Sequence, residues 1–209
     1  MRVELDHILW GAPDLEAGER LFAVLSGVAP ARGGVHAGFG TRNSLLSLGD
    51  GLYFEIIAPD PAQDIAGTRG ARIAAQRGPG LTAFSVRCDD LAAMRRAAEA
   101  AGIAIRGPVA MGRTRADGVR LDWSILYFGD ETLGDAVPFA IDWGNSPHPS
   151  GSTPRGLHLK SFTALHPDRE RLSAVYAALG IPVEVRRAAT PGYSAVLATP
   201  RGDLVLTGP

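Results

Sequence analysis

Two residues suited to catalysis or metal binding lie on separate strand-like segments. His7 occurs in segment 5–10 (LDHILW), and Glu55 occurs in segment 52–57 (LYFEII). An imidazole and a carboxylate together suit a divalent ion of intermediate hardness, such as Mn, Fe, Ni, Co or Zn, and leave positions open for substrate oxygens. Both residues are therefore candidate metal ligands, and Glu55 is also a candidate catalytic group.

Strand alternation predicts which side chains accompany this pair. Successive side chains of a strand point to opposite faces, so His7 is expected to share a face with Leu5 and Leu9. By the same rule, Glu55 shares a face with Tyr53. Each polar group is thus predicted to lie among apolar neighbours on one face of its strand.

Two more ionisable residues have alternative interpretations. Asp142, next to Trp143, can act as a general base or as a hydrogen-bond acceptor for a ligand, or it can simply cap the turn that follows its strand. His36 lies among glycines, where it is either a pocket residue and extra metal ligand or a solvent-facing turn residue.

A further set of residues is suited to contacting a small ligand. The run 38–43 (GFGTRN) can present backbone N–H groups to an anion beside the side chains of Thr41 and Asn43, although a plain hairpin also explains it. Arg113 and Arg115 can hold an anionic group or form an exposed hairpin tip. The remaining candidates for ligand contact are Trp123, Trp143 and His148, with Trp123 equally suited to a core.

Composition excludes several classes of protein. The 209 residues carry 21 Lys and Arg against 22 Asp and Glu, so there is no basic footprint for nucleic acid or an anionic membrane. The single cysteine, the acidic N-terminal segment and the lack of an apolar span predict a cytoplasmic protein. No phosphate-binding Gly-Lys-Ser/Thr motif and no Gly-x-Ser-x-Gly elbow occurs.

The elements that position these residues follow a pattern that occurs three times. A strand-like run leads to Asp14, Asp90 or Asp168, and a segment with helical features then ends at Gly27, Gly102 or Gly180. These are the N-cap and C-terminal signals of helices of about three turns. Short strand-like runs separated by turn residues, among them a Gly-Asp-Gly turn at 49–51, follow each glycine.

Each unit is therefore interpreted as a βαβββ module in an α+β fold. The modules are predicted at 1–60, 79–145 and 155–209, with the first two forming one domain over 1–145. The stretches 60–80 and 145–155 are rich in Gly, Pro, Ser and Ala and are interpreted as connections.

The pattern resembles the vicinal oxygen chelate superfamily, and within it the glyoxalase-like proteins. The resemblance rests on the opening LDHI at 5–8, on the Asp-Leu pair at 14–15, on the strand 52–57, on the run GVHAGFGTRN at 34–43 and on RTRADG at 113–118. It implies the glyoxalase/bleomycin-resistance fold, in which paired modules form curled mixed sheets around a cup. It also implies that His7 and Glu55 meet inside that cup as metal ligands.

The second module departs from the pattern. Aligning the Asp-Leu pairs places Ala83 at the His7 position, and aligning the strands 54–56 and 139–141 places Ala140 at the Glu55 position. The third module offers only Ser161 at the His7 position. A metal would then need a further ligand, for which His36, Asp142 and His148 are the candidates.

Two functions therefore stay open at this point. One is a metal-dependent lyase, isomerase or dioxygenase-like enzyme acting on a small oxygen-rich, anionic compound, and the other is a metal-free protein that binds or sequesters a small molecule. The superfamily also implies pairing of modules within or between chains, so a homodimer is expected, with the third module either covering the other two or contacting another chain.

Overall fold

The computed structural model describes residues 1–49, 51–115 and 117–208. Asp50, in the expected turn at 49–51, Ala116, in the sequence run 113–118, and Pro209 lie outside the described residues. The four described helices are α1 (Leu15–Ser26), α2 (Arg69–Ala74), α3 (Leu91–Ala100) and α4 (Arg169–Leu179). The described strands are β1 (Val3–Gly11), β2 (Ala31–His36), β3 (Thr41–Gly49), β4 (Leu52–Pro59), β5 (Gly80–Cys88), β6 (Ala104–Thr114), β7 (Arg120–Gly129), β8 (Phe139–Asp142), β9 (His158–His166), β10 (Glu184–Arg187), β11 (Gly192–Thr199) and β12 (Gly202–Thr207).

The predicted helix signals have the expected geometry. Asp14, Asp90 and Asp168 each accept a hydrogen bond from a backbone N–H in the first turn of α1, α3 and α4. Gly27 and Gly180 follow α1 and α4 with φ values of 79° and 68°, which favour glycine. The α+β prediction is confirmed, with helices that begin at side-chain caps.

One segment interpreted as a connection contains a helix, and a glycine-containing run forms part of a strand. Helix α2 lies within 60–80, where Thr68 accepts a hydrogen bond from the N–H of Gly70. Its six residues are too few for a helical periodicity to be visible in the sequence. Strand β2 overlaps the glycine-containing run 34–43, because its partner β3 supplies the pairing that glycine itself does not favour.

Eight strands form one curled mixed sheet in the order β2-β3-β4-β1-β5-β8-β7-β6. At its centre β1 pairs antiparallel with β5, while β4 and β8 pair parallel with β1 and β5. The two edges approach each other: a Cβ placed on Gly34 of β2 would lie 3.2 Å from the Arg113 side chain of β6. Residues 3–142 therefore enclose a concave space within a single chain.

A second sheet, in the order β10-β9-β11-β12, lies behind the first. Its Phe162 and Tyr193 pack against Phe84 of β5 with ring centroids 5.2 and 5.7 Å apart. These residues belong to the large core that also holds the apolar faces of α1, α3 and α4. The four-stranded sheet and α4 thus cover the convex side of the large sheet. No helix among the described residues has the length and apolar character needed to cross a membrane.

Candidate functional site

The concave side of the eight-stranded sheet forms the cup. Its empty volume is about 670 Å³ with the open solvent at its mouth included. The polar lining consists of His7, His36, Thr41, Asn43, Tyr53, Glu55, Arg69 and Arg113, and the apolar lining includes Leu9, Leu45, Ile57, Met111, Trp123, Ile125, Tyr127, Phe139, Ile141 and Trp143. Most of the predicted ligand-contacting residues therefore lie around one space with aromatic walls.

A β-bulge in β1 brings an unpredicted residue to this site. Register shifts between Leu5 and His7, so that Leu5 is opposite Val86, His7 is opposite Ser85, and Asp6 is the extra residue. The prediction that Leu5 shares a face with His7 is wrong, because Leu5 packs against the convex-side core. A bulge depends on pairing with β5, and simple alternation along β1 cannot reveal it.

Asp6 is fully buried below the cup, where three side chains contact its carboxylate. Its Oδ1 lies 2.6 Å from His7 Nδ1, and its Oδ2 lies 3.1 Å from both His148 Nε2 and the donating Trp143 Nε1. Burial alone would raise the pKa of this carboxyl, but hydrogen bonds from His148 and His7 outweigh it and lower the pKa to about 2. Asp6 is therefore ionised and acts only as an acceptor.

This contact determines the orientation of His7. Because Asp6 only accepts, His7 Nδ1 must carry a hydrogen, and Nε2 faces Glu55 Oε2 at 3.4 Å. Both side chains are about 95% buried. A bare ring nitrogen and a carboxylate do not attract each other, so the pair requires a proton or cation between them. A proton on His7 or Glu55, a hydroxyl of a ligand, or a bound cation meets this requirement.

Glu55 is also connected by hydrogen bonds to predicted site residues of β2 and β3. Asn43 donates from Nδ2 to Glu55 Oε1 at 2.7 Å, and the same nitrogen lies 3.2 Å from His36 Nε2. Thr41 Oγ1 lies 2.9 Å from His36 Nδ1. Burial lowers the pKa of His36, so that its neutral ring donates to Thr41 and accepts from Asn43. The chain Thr41–His36–Asn43–Glu55 thereby orients the carboxylate.

Tyr53, whose chemical role the sequence did not reveal, stacks on His7 with ring centroids 4.5 Å apart at 15°. Burial and the neighbouring Asp6 and Glu55 raise its pKa well above the usual value for tyrosine. Its hydroxyl is therefore neutral, and it has no hydrogen-bond partner within the part of the chain that the structure describes. It is available to donate to a ligand.

Two arginines supply positive charge at the cup. Arg113 lies half-buried in the wall beside Gly34, and no described residue forms an ion pair or hydrogen bond with its guanidinium. Burial lowers the pKa of Arg113, whereas a close carboxylate partner would raise it. The guanidinium nevertheless stays charged, because the ordinary pKa of arginine is so high. Arg69, from a segment expected to be a connection, lies 5.5 Å from the centre of the Phe139 ring.

Three predicted site residues do not line the cup. Arg115 pairs with Asp117 and donates to Ser152 Oγ at 2.9 Å, outside the cup. Asp142 accepts from the N–H of Gly144 at 2.8 Å and caps a turn, which was the alternative interpretation. His148 lies behind the cup, where it contacts Asp6 and the rings of Tyr53 and Trp143.

Among the residues that the structure describes, the second half of the large sheet contributes no carboxylate or imidazole to the cup. Ala83 lies on the cup side, as aligned with His7, but Ala140 packs into the convex-side core. The proposed equivalence of Ala140 and Glu55 is therefore wrong by one residue, and Phe139 and Ile141 face the cup instead. A shift of one residue along a strand reverses every side chain, so a short alignment without pairing information cannot fix it. The third-module counterpart, Ser161, is exposed and belongs to the other sheet.

The donor set does not fit a metal centre held by three protein ligands. His7 has the arrangement of a metal-binding histidine, with Nδ1 on a carboxylate and Nε2 directed at Glu55. Among the described residues no third donor is available, because His36 Nε2 is engaged by Asn43 and the opposite half lines the cup with aromatic and aliphatic groups and with the cationic Arg113. Within the described ranges, no group of three His, Cys, Asp or Glu residues is arranged to hold a metal.

Solved structures share this fold. A hypothetical protein from Staphylococcus aureus has a TM-score of 0.70 at 16% identity, covering 99% of this chain and 85% of its own. A variant of Streptomyces coelicolor methylmalonyl-CoA epimerase in complex with 2-nitronate-propionyl-CoA has a TM-score of 0.50 at 16% identity, covering 68% of this chain and 95% of its own. A methylmalonyl-CoA epimerase in complex with methylmalonyl-CoA and NH4+ also gives 0.50 at 16% identity, covering 70% and 100%. At these identities the likeness shows the fold alone.

The sequence itself identifies the family. No curated protein matched it at a significant level. A family model described as a glyoxalase-like domain matches residues 5–180, which is most of the chain and covers all strands of the cup except the first two residues of β1. Together with the curled eight-stranded sheet, this match shows that the chain belongs to the glyoxalase-like domain family of the vicinal oxygen chelate superfamily.

Proposed function

We propose that this protein binds a small anionic molecule with an apolar body in the cup. The observation that carries the proposal is Arg113, a half-buried guanidinium at the cup without an ion-pair partner among the described residues. A buried cation is costly unless an anion compensates it. Two oxygens of a carboxylate or phosphate group on a ligand would provide that compensation with bidentate geometry.

The other walls define the remaining contacts. Trp123 and Trp143, with ring centroids 5.4 Å apart, offer apolar surface for the body of the ligand. The Tyr53 hydroxyl and the His7–Glu55 pair offer hydrogen bonds to a polar oxygen. In this proposal the ligand bridges Arg113 and the His7–Glu55 pair across an aromatic cup.

Benzoate and benzamide test this proposal as a matched pair of probes, because they differ mainly in charge. Trp123 and Trp143 line the cup, so binding should change tryptophan fluorescence. We expect benzoate to bind about tenfold more tightly than benzamide, the usual scale for a charge-assisted hydrogen bond. Arg113→Gln should remove this preference, whereas Arg115→Gln, two positions along the same hairpin, should keep it.

The proposal fails if the two probes bind equally, or if Arg115→Gln removes the preference while Arg113→Gln retains it. Circular dichroism of both variants checks that the fold is intact. Loss of the fold in Arg113→Gln would be addressed with Arg113→Lys, which keeps the charge but not the bidentate geometry.

The geometry of His7 supports a second candidate, a metal-dependent lyase or isomerase. In that case His7 and Glu55 would hold one divalent ion of the Mn, Fe, Ni, Co or Zn type, which would polarise oxygens of the substrate. Asp142 is not proposed as its base, since it caps a turn outside the cup.

Metal content separates the two candidates. With two protein ligands we expect weak binding: protein purified without chelators should contain little metal by ICP mass spectrometry, and added Zn should raise Tm only when in large excess over protein. Near-stoichiometric metal that is lost in both His7→Ala and Glu55→Ala, but kept in Asp142→Ala, would favour the metal-dependent enzyme over a protein that binds its ligand without a metal.

The expected homodimer stays a prediction. The cup is enclosed by one chain, so dimer formation is not required to complete it. Size-exclusion chromatography with light scattering measures the oligomeric state directly.

A further inference from the structure

A positively charged groove continues from the cup to the outside of the sheet. We call it the arginine groove; it is lined by Arg69, Arg72 and Arg106, together with parts of the loops around 67 and 134–138. Phe39, Arg69, Tyr127 and Phe139 line both the cup and the groove. The cup and the groove are therefore adjacent, and one extended ligand that contacts these four residues would reach both.

The guanidinium groups of the groove are not neutralised by strong ion pairs. Arg72 lies 3.9 Å from Asp135, with both side chains more than 60% exposed, so the pair contributes little. Arg106 lies 4.1 Å above the Tyr127 ring and Arg69 lies 5.5 Å from the Phe139 ring. These ring contacts restrain the two side chains, and no described carboxylate forms an ion pair with either guanidinium, so both positive charges are available to a ligand.

This concentration of charge is local. The chain as a whole has a formal charge of −1, yet the groove lining contains three arginines and a single carboxylate, that of Asp135. A general excess of basic residues therefore does not explain it. Three donors in a fork geometry along an open groove match a group with several anionic oxygens better than a single carboxylate.

We propose that the arginine groove binds the phosphate or pyrophosphate group of an extended ligand whose other end lies in the cup. The proposal rests on the function proposed for the cup, because the shared residues join the two sites. It assigns the substrate class as a phosphorylated compound with a small anionic or oxygen-bearing head and an apolar middle part. Arg69 lies at the junction and would contact the part between head and phosphate.

Inorganic pyrophosphate is the probe for the groove, measured by isothermal titration calorimetry at low and moderate salt. We expect measurable binding that weakens with salt, because the contacts are ionic and exposed. Arg106→Gln should weaken it about tenfold, and Arg72→Gln combined with Arg106→Gln should abolish it. The exposed helix residue Arg96, which lies outside the groove, provides the matched control Arg96→Gln, which should bind like the wild type.

The cup variant separates this inference from the function on which it rests. Arg113→Gln should leave pyrophosphate binding unchanged while it removes the preference for benzoate. The proposed phosphate site would be overturned by any of three results: no pyrophosphate binding, binding that the groove variants do not change, or binding that is lost with Arg113→Gln alone. If benzoate recognition then persists, the function proposed for the cup stands without it.

Discussion

At the scale of single residues, Asp6 determines which atom of His7 is available. Strict alternation along β1 predicts that Asp6 lies on the convex face, away from the site. The bulge turns it towards His7, His148 and Trp143, and their hydrogen bonds keep it ionised while fully buried. The direction of His7 Nε2 into the cup thus depends on Asp6, which lies below the cup.

Asp6 should make the stability of the protein depend on acidic pH. Its pKa falls from 3.8 to about 2 on folding, so the stabilisation is complete above pH 4 and is lost as pH falls through 2. The shift corresponds to about 2 kcal/mol of unfolding free energy. In urea unfolding at pH 6, we expect Asp6→Asn to be less stable than the wild type. Between pH 4 and pH 2, the unfolding free energy of Asp6→Asn should decrease by about 2 kcal/mol less than that of the wild type.

Asp142→Asn serves as the control for this measurement, since it removes a carboxylate that only caps a turn. Its loss of stability between pH 4 and 2 should follow that of the wild type. Equal pH profiles for wild type and Asp6→Asn would show that Asp6 is not held ionised by its neighbours.

At the scale of elements, the pairing of β2 with β3 positions Glu55 through Asn43. The register shifts between Arg32 and Gly34, which places Gly33 beside the Asn43 side chain. A Cβ on Gly33 would lie 2.1 Å from Asn43 Oδ1, an oxygen that is buried without a hydrogen-bond partner. Only glycine leaves room for the amide that donates to Glu55.

Gly33→Ala should therefore displace Asn43 and destabilise the protein by about 1–3 kcal/mol, the usual range for overpacking. The measurement is urea unfolding followed by tryptophan fluorescence. Gly192→Ala, in strand β11, is the matched control, because a Cβ there would meet no atom within 4 Å and should change stability little. A Gly33→Ala variant as stable as this control would mean that Asn43 is not held against Glu55.

At the scale of the whole molecule, the two sheets share one core. The four-stranded sheet packs Phe162 against Phe84 behind the cup, so the convex side of the large sheet is not exposed to water there. We propose that the modules 1–60, 79–145 and 155–209 fold as one cooperative unit, with the third module stabilising the back of the cup.

Tryptophan fluorescence tests this coupling, because all three tryptophans of the chain report on the eight-stranded sheet: Trp10 and Trp123 lie in strands β1 and β7, and Trp143 directly follows strand β8. Phe162→Ala in the other sheet should lower the unfolding free energy by about 3–5 kcal/mol. The fluorescence transition should shift together with circular dichroism. Val205→Ala, 63% exposed on β12, should change it by less than about 0.5 kcal/mol. If Phe162→Ala leaves the midpoint of the fluorescence transition unchanged, the two sheets unfold independently.

The sequence by itself determined the features that depend on local spacing. The caps Asp14 and Gly27 follow from preferences of the helix termini, and the inward direction of Glu55 follows from the period of two in β4. The family follows from the same motifs.

Only the tertiary structure decided the features that depend on pairing between distant segments. The bulge at Asp6 requires the register of β5, and the displacement of Ala140 from the cup requires the register of β8. The approach of Arg113 to the cup and the exclusion of Arg115 result from the curvature of the whole sheet. Such contacts join residues that are far apart in the chain. The local sequence pattern around each residue is the same for every register of its partner strand, so it cannot predict the contact.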